Sequence, residues 1–408
     1  MTFETLKRSH LKRNIIIAVV IVLVLSAIIL TFTRAKYRVT QSMPLLNGTI
    51  NYTLADLNIV EMYLNGEAIV ALPDGSYELT EESYCTNAEN VRDESITLNY
   101  DGSTKTFTVA PFNKKGTKCY LYFEEGASAG DTILASANPP TGQTMDWTGQ
   151  TTYYYTGNPN NWVQFGGYWW RIIRINGDGS IRMIYQGTSA NETGTGTQIQ
   201  TSAFNSSYNN KTYVGLVYNT SSQHGYGTNS TIMTTLNNWY NDNIENDSKN
   251  LHYEQYIDTG AGFCSDRNMA SGYSWSYSAV YYAAYDRYNG PASLQCNSED
   301  ILSQDNGKLP NPIGLVTSDE AVLTGITLSN ANTGSYLCTG QYYWTMSPSY
   351  FGNSGYADVF VVHVNGYLHY SYGVTNTNGV RPVINLRADL ELTGSGTTSD
   401  PFKVVGTS

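Results

Sequence analysis

The sequence predicts an α+β chain: an N-terminal transmembrane helix, a small β-rich stalk domain and a large C-terminal domain. Three observations carry this reading. Residues 15–32 form an almost unbroken apolar run. Between 57 and 126, short alternating stretches flank Asn65-Gly66 and Asp101-Gly102, dipeptides suited to tight hairpin turns. From 151 onward, strand-like runs rich in Trp, Tyr, Ile and Val alternate with polar tracts and few helical stripes.

The composition narrows the function classes. Charged residues make up 14% of the 408, against the usual quarter, while Tyr reaches 34 and Trp seven. Such a chain recognises ligands by ring contacts and neutral hydrogen bonds rather than by charge. Residues 1–38 hold seven of the 23 Lys and Arg and one of the 34 acids. The remaining 39–408 is therefore strongly acidic and would repel phosphate backbones, so nucleic acid is not expected as a partner.

The apolar run IIIAVVIVLVLSAIILTF spans about 27 Å as a helix, near the thickness of a bilayer core. Lys7, Arg8, Lys12 and Arg13 precede it, which favours a cytoplasmic N-terminus, and no small-x-small cleavage site follows. The expected topology is a basic cytoplasmic tail (1–14), a signal anchor (15–32) and residues 39–408 outside the cell membrane, held there by a single pass.

In the stalk domain (39–126), LNIVEMYLNGEAIVAL and ITLNYDGSTKTFTV read as hairpins, followed by CYLYF at 119–123. Cys85 and Cys119 bracket the second hairpin; a disulfide closing that loop would stabilise by roughly 4 kcal/mol. Residues 127–150 read as a linker, in which Pro139-Pro140 stops any helix begun at Asp131. Within the last domain (151–405), NWVQFGGYWWRIIRI and SIRMIYQ read as strands around Asn176-Gly177-Asp178-Gly179, with both faces of WWRIIRI mixed. Residues 187–229 show little periodicity. Ser230 can cap a helix over 231–244, with Ile232, Leu236, Trp239 and Tyr240 on one stripe. A short helix near 279–286 and another capped at Ser318 or Asp319 follow. Cys264 and Cys296 are the second expected disulfide, leaving Cys338 unpaired and expected to be buried.

The sequence holds no nucleophile elbow, metal-binding helix, phosphate loop or dinucleotide fingerprint. His363 and His369 are the one suggestive pair. With a two-residue turn at Asn365-Gly366, Val362 faces His369 and His363 faces Leu368, so the two rings point to opposite faces and share no metal. Asp178, Asp305, Asn306, Asn311 and Asp319 are hard oxygen donors, but each reads as a turn former or cap. No enzymatic activity, cofactor or metal is expected.

The phrases NWVQFGGYWWRIIRINGDGSIRMIY, NPIGLVTSDEAVLTG, YYWTMSP and GVRPVINL resemble uncharacterised membrane-anchored surface proteins of gut Firmicutes and Mollicutes-like bacteria. The C-terminal region of those proteins is similar to the C-type-lectin-like fold of the formylglycine-generating-enzyme relatives and of retroelement-diversified ligand-binding proteins. The resemblance implies that Trp344, Met346 and Pro348 are core residues, and that Gly379, Val380, Arg381 and Pro382 form a closing strand and turn. It further implies a ligand-facing set just before that strand: Tyr350, Asn353, Tyr356, Tyr367, Tyr370, Tyr372, Asn376 and Asn378. No Glu-Pro-Asn or Gln-Pro-Asp signature is present, so calcium-dependent sugar binding is not implied, and the oxidase cysteines are missing too. The expected function is that of an adhesin-like surface protein whose partner is a glycan or a protein on a cell surface or in the envelope. A structural, envelope-assembly role is the alternative, and a cryptic hydrolase a third.

Overall fold

The computed structural model describes residues 58–72, 77–101, 106–111, 116–248, 251–288 and 290–407. The first element is the hairpin of β1 (Asn58–Leu64) and β2 (Glu67–Ile69). Asn65 and Gly66 both take positive φ, 49° and 82°, as the expected tight turn requires. β3 (Tyr77–Leu79) and β4 (Tyr84–Thr86) precede a second hairpin, β5 (Thr97–Asp101) with β6 (Thr106–Ala110). β7 (Lys118–Glu125) then runs parallel to β1 and antiparallel to β3 and β4. Its alternation buries Cys119, Leu121 and Phe123 against Met62 and Tyr77. Cys85 lies directly opposite Cys119 in the β4–β7 ladder, and the two are disulfide-bonded.

The rest of the chain shares one large hydrophobic core. α1 (Ala129–Leu134) opens it, with Ser128 and Asp131 forming a reciprocal capping box. Gly130 is packed so closely that a Cβ there would stand 2.5 Å from Ile175 Cγ2. β8 (Gly142–Met145) and β9 (Thr151–Tyr154) lead to β10 (Trp162–Phe165), β11 (Tyr168–Ile175) and β12 (Ile181–Gly187). β12 is buried along its whole length and β11 along most of it, which is why WWRIIRI shows no single polar face.

The polar tract 187–229 is ordered by short strands: β13 (Gln200–Ala203), β14 (Val217–Tyr218) and β15 (Thr228–Asn229). α2 (Thr231–Tyr240) follows, capped by Ser230 as expected, and continues into a π-helical turn, Asn241–Glu245. Next come β16 (Phe263–Cys264), β17 (Val280–Tyr281), α3 (Ala283–Tyr288) and β18 (Ile301–Leu302). α4 (Ser318–Leu323) is capped by Thr317, one residue before the expected caps, because Glu320 closes a capping box with it. The chain ends in β19 (Tyr343–Phe351), β20 (Ala357–Val362), β21 (Leu368–His369), β22 (Thr377–Val380), β23 (Val383–Leu386), β24 (Leu392–Thr393) and β25 (Phe402–Val404).

Two sheets organise this body. One runs β23-β12-β11-β10-β25-β24, with β9 also on β11 and β8 on β9; the other runs β13-β22-β19-β20-β21, with β17 on β19. Trp344, Met346 and Pro348 are buried in β19, and Gly379–Pro382 bridges β22 to β23 as expected. Arg174 and Arg182 from adjacent strands converge on Glu320 of α4, at 3.0 and 2.5 Å, all three almost completely buried. Beside them a cavity of about 10 Å³, room for a single water, is lined by Arg287, Asp266 and Asp319. Arg381 is buried too, donating to the Tyr185 carbonyl and to Gln186 Oε1 with no carboxylate partner among the described residues.

The fold corrects the expected α+β class. The described chain is predominantly β-sheet with short helices, α2 being the longest at ten residues. The expected span 15–32 lies outside the described residues, and among the described residues no helix is long and apolar enough to cross a membrane. The single-pass topology, the membrane partner and the cell-membrane location that rested on that span have no structural counterpart here.

Candidate functional site

The expected ligand-facing residues fall into three settings. Tyr350, Tyr367, Tyr370 and Tyr372 are half-buried within a chain of ring contacts. Tyr281 leans on Tyr285 at 4.0 Å and Tyr350 at 4.4 Å; Tyr285 meets Tyr370 at 5.3 Å. His369 continues the chain to Tyr372, which meets Tyr342 at 5.3 Å. The Tyr281 phenol is pushed up to about 12 by burial and then by the neighbouring phenols, so it stays protonated at physiological pH. Asn353, Tyr356 and Asn376 are exposed, and Tyr356 stacks on Tyr208 at 4.3 Å. Asn378 is buried in the ladder opposite Ser202 and lies off the surface of this face.

The histidine register differs from expectation. Val362 pairs with Leu368 and Val361 with His369, while the His363 amide donates to the Tyr367 carbonyl. The loop is therefore three residues long, Val364-Asn365-Gly366, with Gly366 at φ 78°. One extra residue puts His363 and His369 on the same face, the reverse of the two-residue reading. Each Nδ1 accepts a backbone N–H, from Asn365 and Ser371, and His363 Nε2 lies 2.6 Å from the Tyr342 hydroxyl. Burial lowers the pKa of both rings, His363 further through His369. Among the described residues no group of His, Cys, Asp and Glu is placed to hold a metal ion. The suggested oxygen donors act in turns and pairs: Asp178 accepts from Ser180, Asn306 from Lys308, and Asp319 from Arg287. Cys338 is a half-buried free thiol whose pKa burial raises, and Cys264–Cys296 is bonded.

A concave site away from these tyrosines lies along α2. A groove of about 470 Å³ runs between α2, its π turn and the segments 200–206, 218 and 229. Its size is that of a small-ligand site. Trp239 forms an aromatic wall and is held by Tyr168, Trp170 and Tyr185 at 5.3, 6.1 and 5.8 Å. Thr234 and Thr235 spend their hydroxyl protons on the carbonyls of Ser230 and Thr231, leaving lone pairs to accept. Asn205 and Asn243 are locked: Asn205 by Tyr213 and Ser206, Asn243 by Trp239 and Tyr168. Gln200, Asn229, Asn238, Ser206 and Asp242 line the same groove, and among the described residues their side chains have no hydrogen-bond partner.

No protein family, curated protein or solved structure matches the chain. The groove's own chemistry is therefore what speaks to function. It offers three free amides, a free hydroxyl, two accepting hydroxyls and a rigid indole, with no Lys, Arg or His in the lining. Amides donate and accept at once, which matches vicinal hydroxyl groups. The lining holds one carboxylate, whereas glycoside cleavage in most families requires two. Sequence reasoning missed this site because its residues come from the tract read as aperiodic and from the outer side of α2. The run of Asn, Ser and Thr there was the available signal.

Proposed function

We propose that the chain is a non-catalytic binding module whose α2 groove takes a hydroxylated, non-anionic ligand of the saccharide class. The observation that carries this reading is the convergence of Gln200, Asn229 and Asn238, their side chains unpartnered among the described residues, beside Trp239 in a groove of about 470 Å³. Sugar recognition uses an apolar ring face for the C–H side of the sugar and bidirectional hydrogen-bonding groups for its hydroxyls, and the groove supplies both. Because Trp239 is packed on three rings, it adds contact area with little ordering cost on binding. An anionic sugar would meet no cation in the lining and would approach an acidic chain, formal charge -11.

The test is calorimetric titration of the full chain with neutral oligosaccharides, repeated with Trp239→Ala and Asn238→Ala. Saturable binding lost in both variants supports the reading. Saturable binding that both variants retain places the ligand elsewhere, and no binding to any saccharide removes the reading.

A further inference from the structure

We infer that Asp242 makes the groove selective for a saccharide bearing a free amino group, an amino sugar whose nitrogen carries no acyl group. This rests on the saccharide reading of the groove. Asp242 is exposed and lines the groove, the one carboxylate to do so among the described residues. Among the described residues it has no cationic or hydrogen-bonding partner. Its place in the fold also works against the helix. The negative pole of a helix lies at its C-terminal end, where cations are favoured and a carboxylate is repelled. α2 has no basic residue in its last turn, and Asp242 and Glu245 both sit in the π turn that continues it. Helix stability therefore gives no reason for a carboxylate at 242.

A bound ammonium group removes that conflict. It would pair with Asp242 and answer the helix pole together, in a groove where no other group carries positive charge. The π turn is a second observation: such turns are rare, interrupt helical regularity and are frequent at functional sites. Here the turn sets Asp242 and Asn243 beside Trp239, so one ligand can stack on the indole while its amine reaches the carboxylate. An N-acetylated sugar offers an amide in place of the cation and gains neither interaction.

The experiment titrates the full chain with matched pairs of glucosamine and galactosamine oligosaccharides, free and N-acetylated, at low and high salt. The free-amine form should bind about tenfold tighter at low salt, with the preference shrinking as salt rises. In Asp242→Asn the ratio of the two affinities should fall to about one. Equal binding of both forms by the wild type, or a preference that survives in Asp242→Asn, overturns the inference and leaves the groove reading standing. No binding of either form, with none of neutral oligosaccharides, overturns both.

Discussion

Trp239 stands edge-on to Trp170, ring centroids 6.1 Å apart and planes inclined at 66°, so a half-buried helix residue is tied to the buried centre of a sheet. Trp170 is completely buried and donates its indole N–H to the Phe165 carbonyl. The groove wall is thus built on the core rather than on a loop, which keeps its geometry fixed before any ligand arrives.

That relationship separates two substitutions. Trp170→Ala removes a fully buried ring and should cost about 3–5 kcal/mol of stability, read by urea unfolding. Trp239→Phe keeps an aromatic wall; it should leave the unfolding midpoint nearly unchanged and reduce saccharide affinity only a few-fold.

The Arg174–Glu320–Arg182 cluster predicts a second effect. Burial opposes ionisation of Glu320, but the two guanidinium groups and the Thr317 amide hold its pKa below the usual carboxylate range. Glu320→Gln leaves two buried cations without their counter-charge and should destabilise by about 3–5 kcal/mol at neutral pH. Replacing all three residues by apolar ones of similar volume should cost far less, which distinguishes a broken pair from a missing one.

Asp358 should give a pH signature of opposite sense. Burial pushes its carboxyl up to about 6, opposed only by a hydrogen bond from Ser371. The folded state thus holds the proton more tightly than the unfolded chain, and this group's contribution to stability declines as pH rises from about 4 to about 6. Asp358→Asn should therefore stabilise by about 2 kcal/mol at pH 7.5 and by nearly nothing at pH 4. An equal effect at both values would show that the carboxylate is solvated.

Thiol counting tests the covalent frame. Alkylation of the chain denatured without reductant should modify one cysteine, Cys338, and five after reduction. Reduction should also lower stability, since each bridge closes a loop of more than 30 residues, worth roughly 4 kcal/mol apiece.

Local signals were the legible part of this fold. The Asn65-Gly66 turn, the Ser230 cap and both disulfides could be read because each depends on neighbouring residues or on simple pairing. The register of the His363 hairpin failed for want of one residue in the loop, a choice that the Val364-Asn365-Gly366 sequence alone leaves open between two turn types. The α2 groove was not legible at all. It exists because β13, β14 and the helix meet in space, and nothing in the spacing of Gln200, Asn229 and Asn238 announces that they converge. The dense tyrosines of 350–372 drew attention instead, and the structure packs four of them against other aromatic rings.

The most direct test of the account is titration of the full chain with a panel of oligosaccharides, followed by amide chemical shifts. Saturable shifts centred on residues 229–243 and on Gln200 are expected, with Trp239→Ala abolishing them while the rest of the spectrum stays folded. Saturable shifts confined to other surfaces, or unchanged in Trp239→Ala, would contradict it.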